Sequence, residues 1–174
     1  MKAFRNIFIF LLNIPLLAIA QNPNIRFEHL TTRDGLSHSN VLCILQDSRG
    51  FMWFGTPDGL NKYDGYKFVA YQHNNKNKHS LSNNHITGMV EDQNGDLWIS
   101  TLGGGLNRFD RRKERFTSYL YDPASKNSLS SDFVRCLVQD SVGNLWLGTE
   151  KGLDKFNKAD NSFTRYTYHK KDST

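Results

Sequence analysis

Three aspartates, Asp47, Asp92 and Asp140, stand at one position of a recurring pattern. A carboxylate fixed in this way can act as a general acid or base, ligate a cation, or accept backbone N–H groups in a tight turn. Each is followed three residues on by a glycine (Gly50, Gly95, Gly143) and six residues on by a tryptophan (Trp53, Trp98, Trp146). Asp-x-x-Gly is turn chemistry, so these carboxylates are expected to cap turns rather than catalyse. The run Asp92-Gln93-Asn94-Gly95-Asp96 offers calcium-loop oxygens but lacks the later bidentate Glu, and an Asn-Gly turn accounts for it. The tryptophans could stack on sugar rings. At one strand position in every copy, they are expected instead to pack between layers. No histidine pair has helical i, i+4 spacing, and His38 and His85 have no counterpart in the third copy, so no zinc site is expected. No nucleophile elbow, phosphate loop or Cys/His constellation is present, and Gly103-Gly104-Gly105 precedes no helix that could hold a phosphate. The expectation is no catalytic residue, no metal and no cofactor.

The elements that position these residues follow from the repeat. The tryptophans are 45 and 48 residues apart, a period that indicates a propeller or similar array. Thr56, Thr101 and Thr149 follow them at equal distance, then Gly59-Leu60, Gly105-Leu106 and Gly152-Leu153. Leu36-Ser37, Leu81-Ser82 and Leu129-Ser130 open the copies. Each copy resolves into four short strands. Strand a (41–46, 86–91, 134–139) alternates with a nearly all-apolar face. Strand b is centred on Trp, and strand c covers 60–63, 106–109 and 153–156. Strand d starts at Phe68, Phe116 and Phe163. Four strands per repeat with short turns describes a propeller blade. The segment 25–30 reads as an additional strand d that would close a ring. The fold class expected is all-β: a partial propeller of three four-stranded blades (about 36–80, 81–128 and 129–174) plus an N-terminal closing strand, open rather than closed. Because propellers use about four to eight blades, 21–174 is expected to be the N-terminal fragment of a larger propeller. Cys43 and Cys136 share one repeat position, occupied by Gly88 in the middle copy. Since blades one and three are not neighbours, a disulfide is not expected.

Residues 1–20 have the form of a signal peptide: Lys2 and Arg5, an apolar stretch over 7–17, and Ala18-Ile19-Ala20 before Gln21. Cleavage near Ala20 would release a periplasmic or extracytoplasmic chain. The net charge of +5 includes Lys2 and Arg5, and the other basic residues are interspersed with acidic ones. The run 110–115 is expected to be a solvated hairpin turn. No basic stripe with aromatic platforms is present, so nucleic acid is not an expected partner.

The pattern Asp-x-x-Gly-x-x-Trp-x-Gly-Thr-x-x-Gly-Leu-x-x-Phe, three times in register over about 25–170, resembles the two-component regulator propeller repeat. That repeat fills the periplasmic sensor region of hybrid two-component histidine kinases, notably those controlling polysaccharide utilisation. Ser100 in place of glycine and the extra glycine of the middle copy are its departures. The resemblance implies downstream propeller, membrane and kinase modules, none of which this sequence contains. The Asp-x-x-Gly-x-x-Trp turn also resembles the Asp-box of sialidases, but its spacing differs by one residue and no arginine cluster is visible.

Within a propeller, the d–a and b–c loops share one side, opposite the uniform Asp-x-x-Gly turns. The loop side carries the residues that vary between copies. His38, Asn40, Asp58, Asn83, His85, Asp132, Glu150 and Lys151 are its candidate ligand-binding residues. Amides, short carboxylates and imidazoles suit sugar hydroxyls, which need both donors and acceptors. The expected function is ligand sensing, with an oligosaccharide as partner and signalling by conformational change. The alternatives are a free-standing, self-associating glycan-binding protein that closes its ring through open blade edges and, further off, a propeller glycosidase or lyase.

Overall fold

The computed structural model describes residues 27–166. The leader at 1–20 and residues 25 and 26 of the expected closing strand lie outside the described residues. The described residues form twelve strands in three antiparallel sheets, each in sequential order. The first blade holds β1 (Cys43–Gln46), β2 (Met52–Thr56), β3 (Gly59–Tyr63) and β4 (Phe68–Tyr71). The second holds β5 (Ile86–Glu91), β6 (Leu97–Thr101), β7 (Leu106–Asp110) and β8 (Arg115–Tyr119). The third holds β9 (Val134–Gln139), β10 (Leu145–Thr149), β11 (Gly152–Asn157) and β12 (Ser162–Tyr166). The innermost strands β1, β5 and β9 stand side by side in that order. The described residues do not close into a ring.

Two elements differ from the sequence expectation. Strand a of the first blade is assigned only from Cys43, although the Leu42 N–H still bonds the Gly55 carbonyl at 2.8 Å. Residues 27–30 form no strand. A strand d needs a vacant place beside a strand c, and β3, β7 and β11 each already have their own strand d.

The core lies between blades. Trp53, Leu60, Ile86, Leu97, Ile99, Phe109 and Phe116 fill the first seam. Trp98, Leu106, Leu137, Leu145, Leu147, Phe156 and Phe163 fill the second. Trp53 meets Phe109 edge-on at 5.9 Å and Trp98 meets Phe156 at 4.9 Å, so the first two tryptophans pack between blades as their spacing predicts. Trp146 is half-buried, and beside it Val138, Leu153 and Tyr166 remain exposed.

The recurrent Leu-Ser, Thr and Gly-Leu positions are one device repeated. Leu36, Leu81 and Leu129 are buried, and the serine after each bonds strand c of its own blade through its N–H: Ser37 to Asn61, Ser82 to Asn107, Ser130 to Asp154. Thr56, Thr101 and Thr149 donate to the carbonyls of Gly59, Gly105 and Gly152, closing the b–c turn. Gly59 has φ 116°, and a Cβ there would stand 2.7 Å from the Tyr71 carbonyl, so no other residue fits.

The d–a connector of one blade covers the outer edge of the next. Parallel bridges His73–Leu81 and Tyr121–Leu129 close each excursion. The Phe116 N–H then donates to the His79 carbonyl at 2.9 Å, and the Phe163 N–H to the Asn127 carbonyl at 2.7 Å. Edge strands β8 and β12 are thereby capped against further pairing at these points.

Candidate functional site on the loop face

The repeated carboxylates occupy the turn side, and their bonding accounts for their chemistry. Asp47 accepts the N–H groups of Arg49 and Phe51 on one oxygen and the Trp53 indole N–H, at 2.8 Å, on the other. Asp92 does the same with Asn94, Asp96 and Trp98, and Asp140 with Val142, Asn144 and Trp146. Burial raises the Asp47 and Asp92 pKa values, but the indole and backbone N–H bonds outweigh it and hold both below the ordinary range. For Asp140 the indole bond and the Asn144 amide bring the value to about 2. Near neutrality these are ionised turn caps, without the proton affinity of a general acid or base.

A cation from the next blade seats on each of the first two. Arg111 donates to Asp47 at 2.5 Å, and also to Glu91 and the Gly95 carbonyl. Lys158, at the same repeat position, lies 3.4 Å from Asp92. Within the run expected to be solvated, Arg111 is therefore a correction: its side chain is only 5% exposed, while Arg112 and Lys113 do face solvent. The sequence signal was the cation two residues after Phe109 and Phe156 in both copies. In the third blade, the Asn144 amide donates to Asp140 at 2.7 Å, on the oxygen that receives a cation in the other two.

The loop face holds the predicted residues in three groups. His38 and Asn40 are exposed on the first blade, the Asn40 N–H bonding His38 Nδ1 at 2.9 Å. Asp58, Asn83 and His85 lie at the first seam. Asp58 accepts the Asn84 amide at 3.1 Å, and Asn83 accepts the His85 N–H at 2.9 Å. Asp132, Glu150 and Lys151 gather near the third blade. Asp132 bonds the Tyr121 N–H at 2.7 Å through its side chain, and its carbonyl receives the N–H groups of Gly103 and Gly105. Glu150 pairs with Arg135 at 2.5 Å, and Lys151 stands 4.3 Å over the Tyr121 ring.

Asp58 and Asp132 thus spend hydrogen-bonding capacity on joining loops, and Asn83 on a turn within its own, whereas His38, Asn40, Glu150 and Lys151 present exposed polar groups. Phe133, 46% exposed beside Glu150, is an aromatic surface the sequence reading did not single out. Both cysteines are free: Cys43 is partly buried and Cys136 exposed.

Two grooves among the described residues lie elsewhere. A groove of about 490 Å³ at the outer rim is lined by Tyr119, Asp122, Ser125, Asn127 and Asn161. Its counterpart one blade earlier, about 230 Å³, is lined by Tyr71, Asn74, Asn77, His79 and Glu114. Asn161 and Glu114 hold the left-handed backbone conformation at the same repeat position, with φ 56° and 50°. The grooves were not legible in sequence because each is built from the connector of one blade and the c–d turn of the next.

Sequential four-stranded antiparallel sheets, packed face to face with strand a innermost, define a segment of a β-propeller. The family model for the two-component regulator propeller matches residues 35–58, 80–103 and 128–151. The chain carries three two-component regulator propeller repeats.

The extracellular domain of a protein described as a hybrid two-component system from B. thetaiotaomicron is 32% identical, with a TM-score of 0.75 over 80% of this chain and 20% of that one. Histidine kinase P4 of Formosa agariphila is 49% identical over 63 residues, which are 36% of this chain and 5% of that protein. The chain therefore spans only a small part of either relative. Virginiamycin B lyase from Staphylococcus aureus, 15% identical with a TM-score of 0.57 over 78% of this chain and 44% of that one, shares the fold. The match to the B. thetaiotaomicron protein falls in an extracellular domain, not in a kinase catalytic domain. Among the described residues, no helix is long and apolar enough to cross a membrane.

Proposed function

We propose that this chain is an extracytoplasmic, non-catalytic, ligand-sensing propeller segment of a two-component sensor, and that its ligand is an oligosaccharide. Signal peptide 1–20 exports it, and the three blades between Cys43 and Tyr166 belong to its sensor propeller. The observation that carries this reading is the contrast between the two sides of one scaffold. The turn side repeats a single bonding pattern, while the loop side varies and leaves polar groups beside an exposed aromatic. Asn40, His38, Glu150 and Lys151 offer donors and acceptors, and Phe133 offers an apolar face for a sugar ring. Ligand binding that favours one arrangement of neighbouring blades would be passed to a kinase as a shift in a conformational equilibrium.

The test is titration of the purified 21–174 chain with neutral and acidic oligosaccharides, followed calorimetrically. Binding is expected to weaken at least tenfold in Phe133→Ala and in Lys151→Ala, with unfolding temperatures unchanged. Equal affinity in wild type and both variants would move the site off this face.

A second reading, self-association, is favoured by the exposed apolar groups at the two open faces. Leu42 and Ile44 are 42% and 59% exposed on the first blade, and Val138 and Tyr166 are 56% and 48% exposed on the third. Light scattering that finds a discrete dimer at micromolar concentration supports it, and a monomer refutes it.

A further inference from the structure

The three blades offer an internal comparison at one buried strand-c position, filled by Asn61, Asn107 and Asp154, each at most 1% exposed. In the first blade, the Asn61 side-chain oxygen accepts the Ser37 N–H at 2.9 Å, and its amide nitrogen donates to Ser37 Oγ at 2.8 Å. The hydroxyl protons then have fixed destinations. Thr56 Oγ1 donates to the Gly59 carbonyl at 3.0 Å, so the Ser37–Thr56 contact at 2.9 Å must use the serine proton. Ser37 Oγ is left as an acceptor, and the asparagine amide supplies the donor. In the second blade the Asn107 amide donates to Ser82 Oγ at 2.7 Å.

The third blade keeps every link but that donor. Thr149 Oγ1 donates to the Gly152 carbonyl at 3.0 Å, and Ser130 Oγ meets Thr149 Oγ1 at 2.8 Å. Ser130 N–H donates to Asp154 Oδ2 at 2.7 Å. Asp154 Oδ1, buried, has no partner. By repeat position it corresponds to the amide nitrogen of Asn61, which donates to Ser37 Oγ and the carbonyls of Phe54 and Gly59. A bare carboxylate oxygen buried without a donor is desolvated with nothing to offset the cost.

We propose that Asp154 is a neutral carboxylic acid in the folded chain, its proton completing the Asp154–Ser130–Thr149–Gly152 chain, and that its loss at higher pH loosens the 129–133 connector from the third blade. That connector carries Asp132 and Phe133, so the device makes the loop face sensitive to external pH.

The charged side chain acting on Asp154 is Arg165, its register partner on β12. The Arg165 guanidinium is committed to the carbonyls of Ser125, Ser128 and Leu129 and to Ser128 Oγ, at 2.7–3.0 Å. On the adjoining loops, Asp132 is bound to the Tyr121 N–H, Glu150 to Arg135, and Lys151 lies over Tyr121. On β10 the residue opposite is Leu147. Burial raises the Asp154 pKa, and the Ser130 bonds and Arg165 only partly oppose it.

The sign follows. A carboxyl whose folded-state pKa lies above its unfolded value contributes stability that is complete below the unfolded value and is lost as pH rises through the folded one. Between the two, the folding constant of wild type relative to Asp154→Asn falls about tenfold per pH unit.

The experiment measures chemical unfolding of wild type, Asp154→Asn and Asn61→Asp from pH 4 to 8, with infrared difference spectra of the folded proteins. Expected are a protonated-carboxyl band in wild type that is absent from Asp154→Asn, an Asp154→Asn advantage that grows with pH and then levels, and a second such dependence in Asn61→Asp. Unfolding curves of wild type and Asp154→Asn that stay parallel over this range, or the lack of the protonated band, would overturn the proposal. Should Asn61→Asp fail to fold, the wild-type and Asp154→Asn pair still decides it.

Discussion

Replacing Arg111 with methionine removes the ion pair that joins the turn sides of the first two blades and leaves the Ser48–Glu91 hydrogen bonds beside it. Methionine keeps an unbranched apolar stem and removes the guanidinium. That group is 95% shielded and bonds Asp47, Glu91 and the Gly95 carbonyl at once; the Asp47 side chain has no exposed surface at all. Removing one partner of a buried ion pair leaves an uncompensated charge and costs about 3–5 kcal/mol. Glu91 retains its bonds from the Ser48 N–H and hydroxyl, and Asp47 retains its backbone and indole donors, which places the expected loss near the lower end, about 3 kcal/mol. At roughly 2–4 °C per kcal/mol for a chain of this size, the unfolding temperature falls by on the order of 10 °C. Thermal unfolding followed by tryptophan fluorescence measures this, with Arg112→Met as the exposed control, expected within about 0.5 kcal/mol of wild type. In a cycle with Asp47→Asn the two losses should overlap rather than add. An Arg111→Met loss below about 1 kcal/mol, or simple additivity with Asp47→Asn, would show that the pair does not fasten the seam.

Acid should unfold the chain through the turn caps. Asp47, Asp92 and Asp140 have lowered folded-state pKa values, so their contribution is present above the ordinary aspartate value of 3.8 and is lost as pH falls below it, toward about 2 for Asp140. In an acid titration followed by tryptophan emission, Asp140→Asn should shed part of that dependence; an unchanged acid limb would assign it to other carboxylates. Thiol labelling should separate the cysteines. Cys136 is exposed and should react with maleimide at pH 7, whereas Cys43, its pKa pushed to about 11 by burial, should react only after denaturation. Two equally fast thiols, or none without reductant, would contradict the strand-a placement of both.

The order of strands and the tying of each Asp-x-x-Gly turn were legible in the sequence because they are local. The carboxylate, its backbone donors and the indole lie within six residues, so one copy specifies them and three copies announce them. The inter-blade place of Trp53 and Trp98 followed from their recurrence at one strand position, although their partners Phe109 and Phe156 lie more than 50 residues away. What the tertiary structure decided are the relations between blades. Arg111 meets Asp47 across 64 positions, and a charged turn read alone looks solvated. Asp132 proves to be a loop fastener as well as a surface group, since its partner Tyr121 N–H sits across the connector. The rim grooves exist only where one blade's connector meets the next blade's turn. Asp154 looks in sequence like any surface aspartate near a turn, and its unpartnered oxygen is visible only once Ser130, 24 residues earlier, is folded onto it. Local hydrogen bonds are set by spacing along the chain, whereas burial and long-range pairing depend on which faces of the repeats come together, and a single repeat does not carry that information.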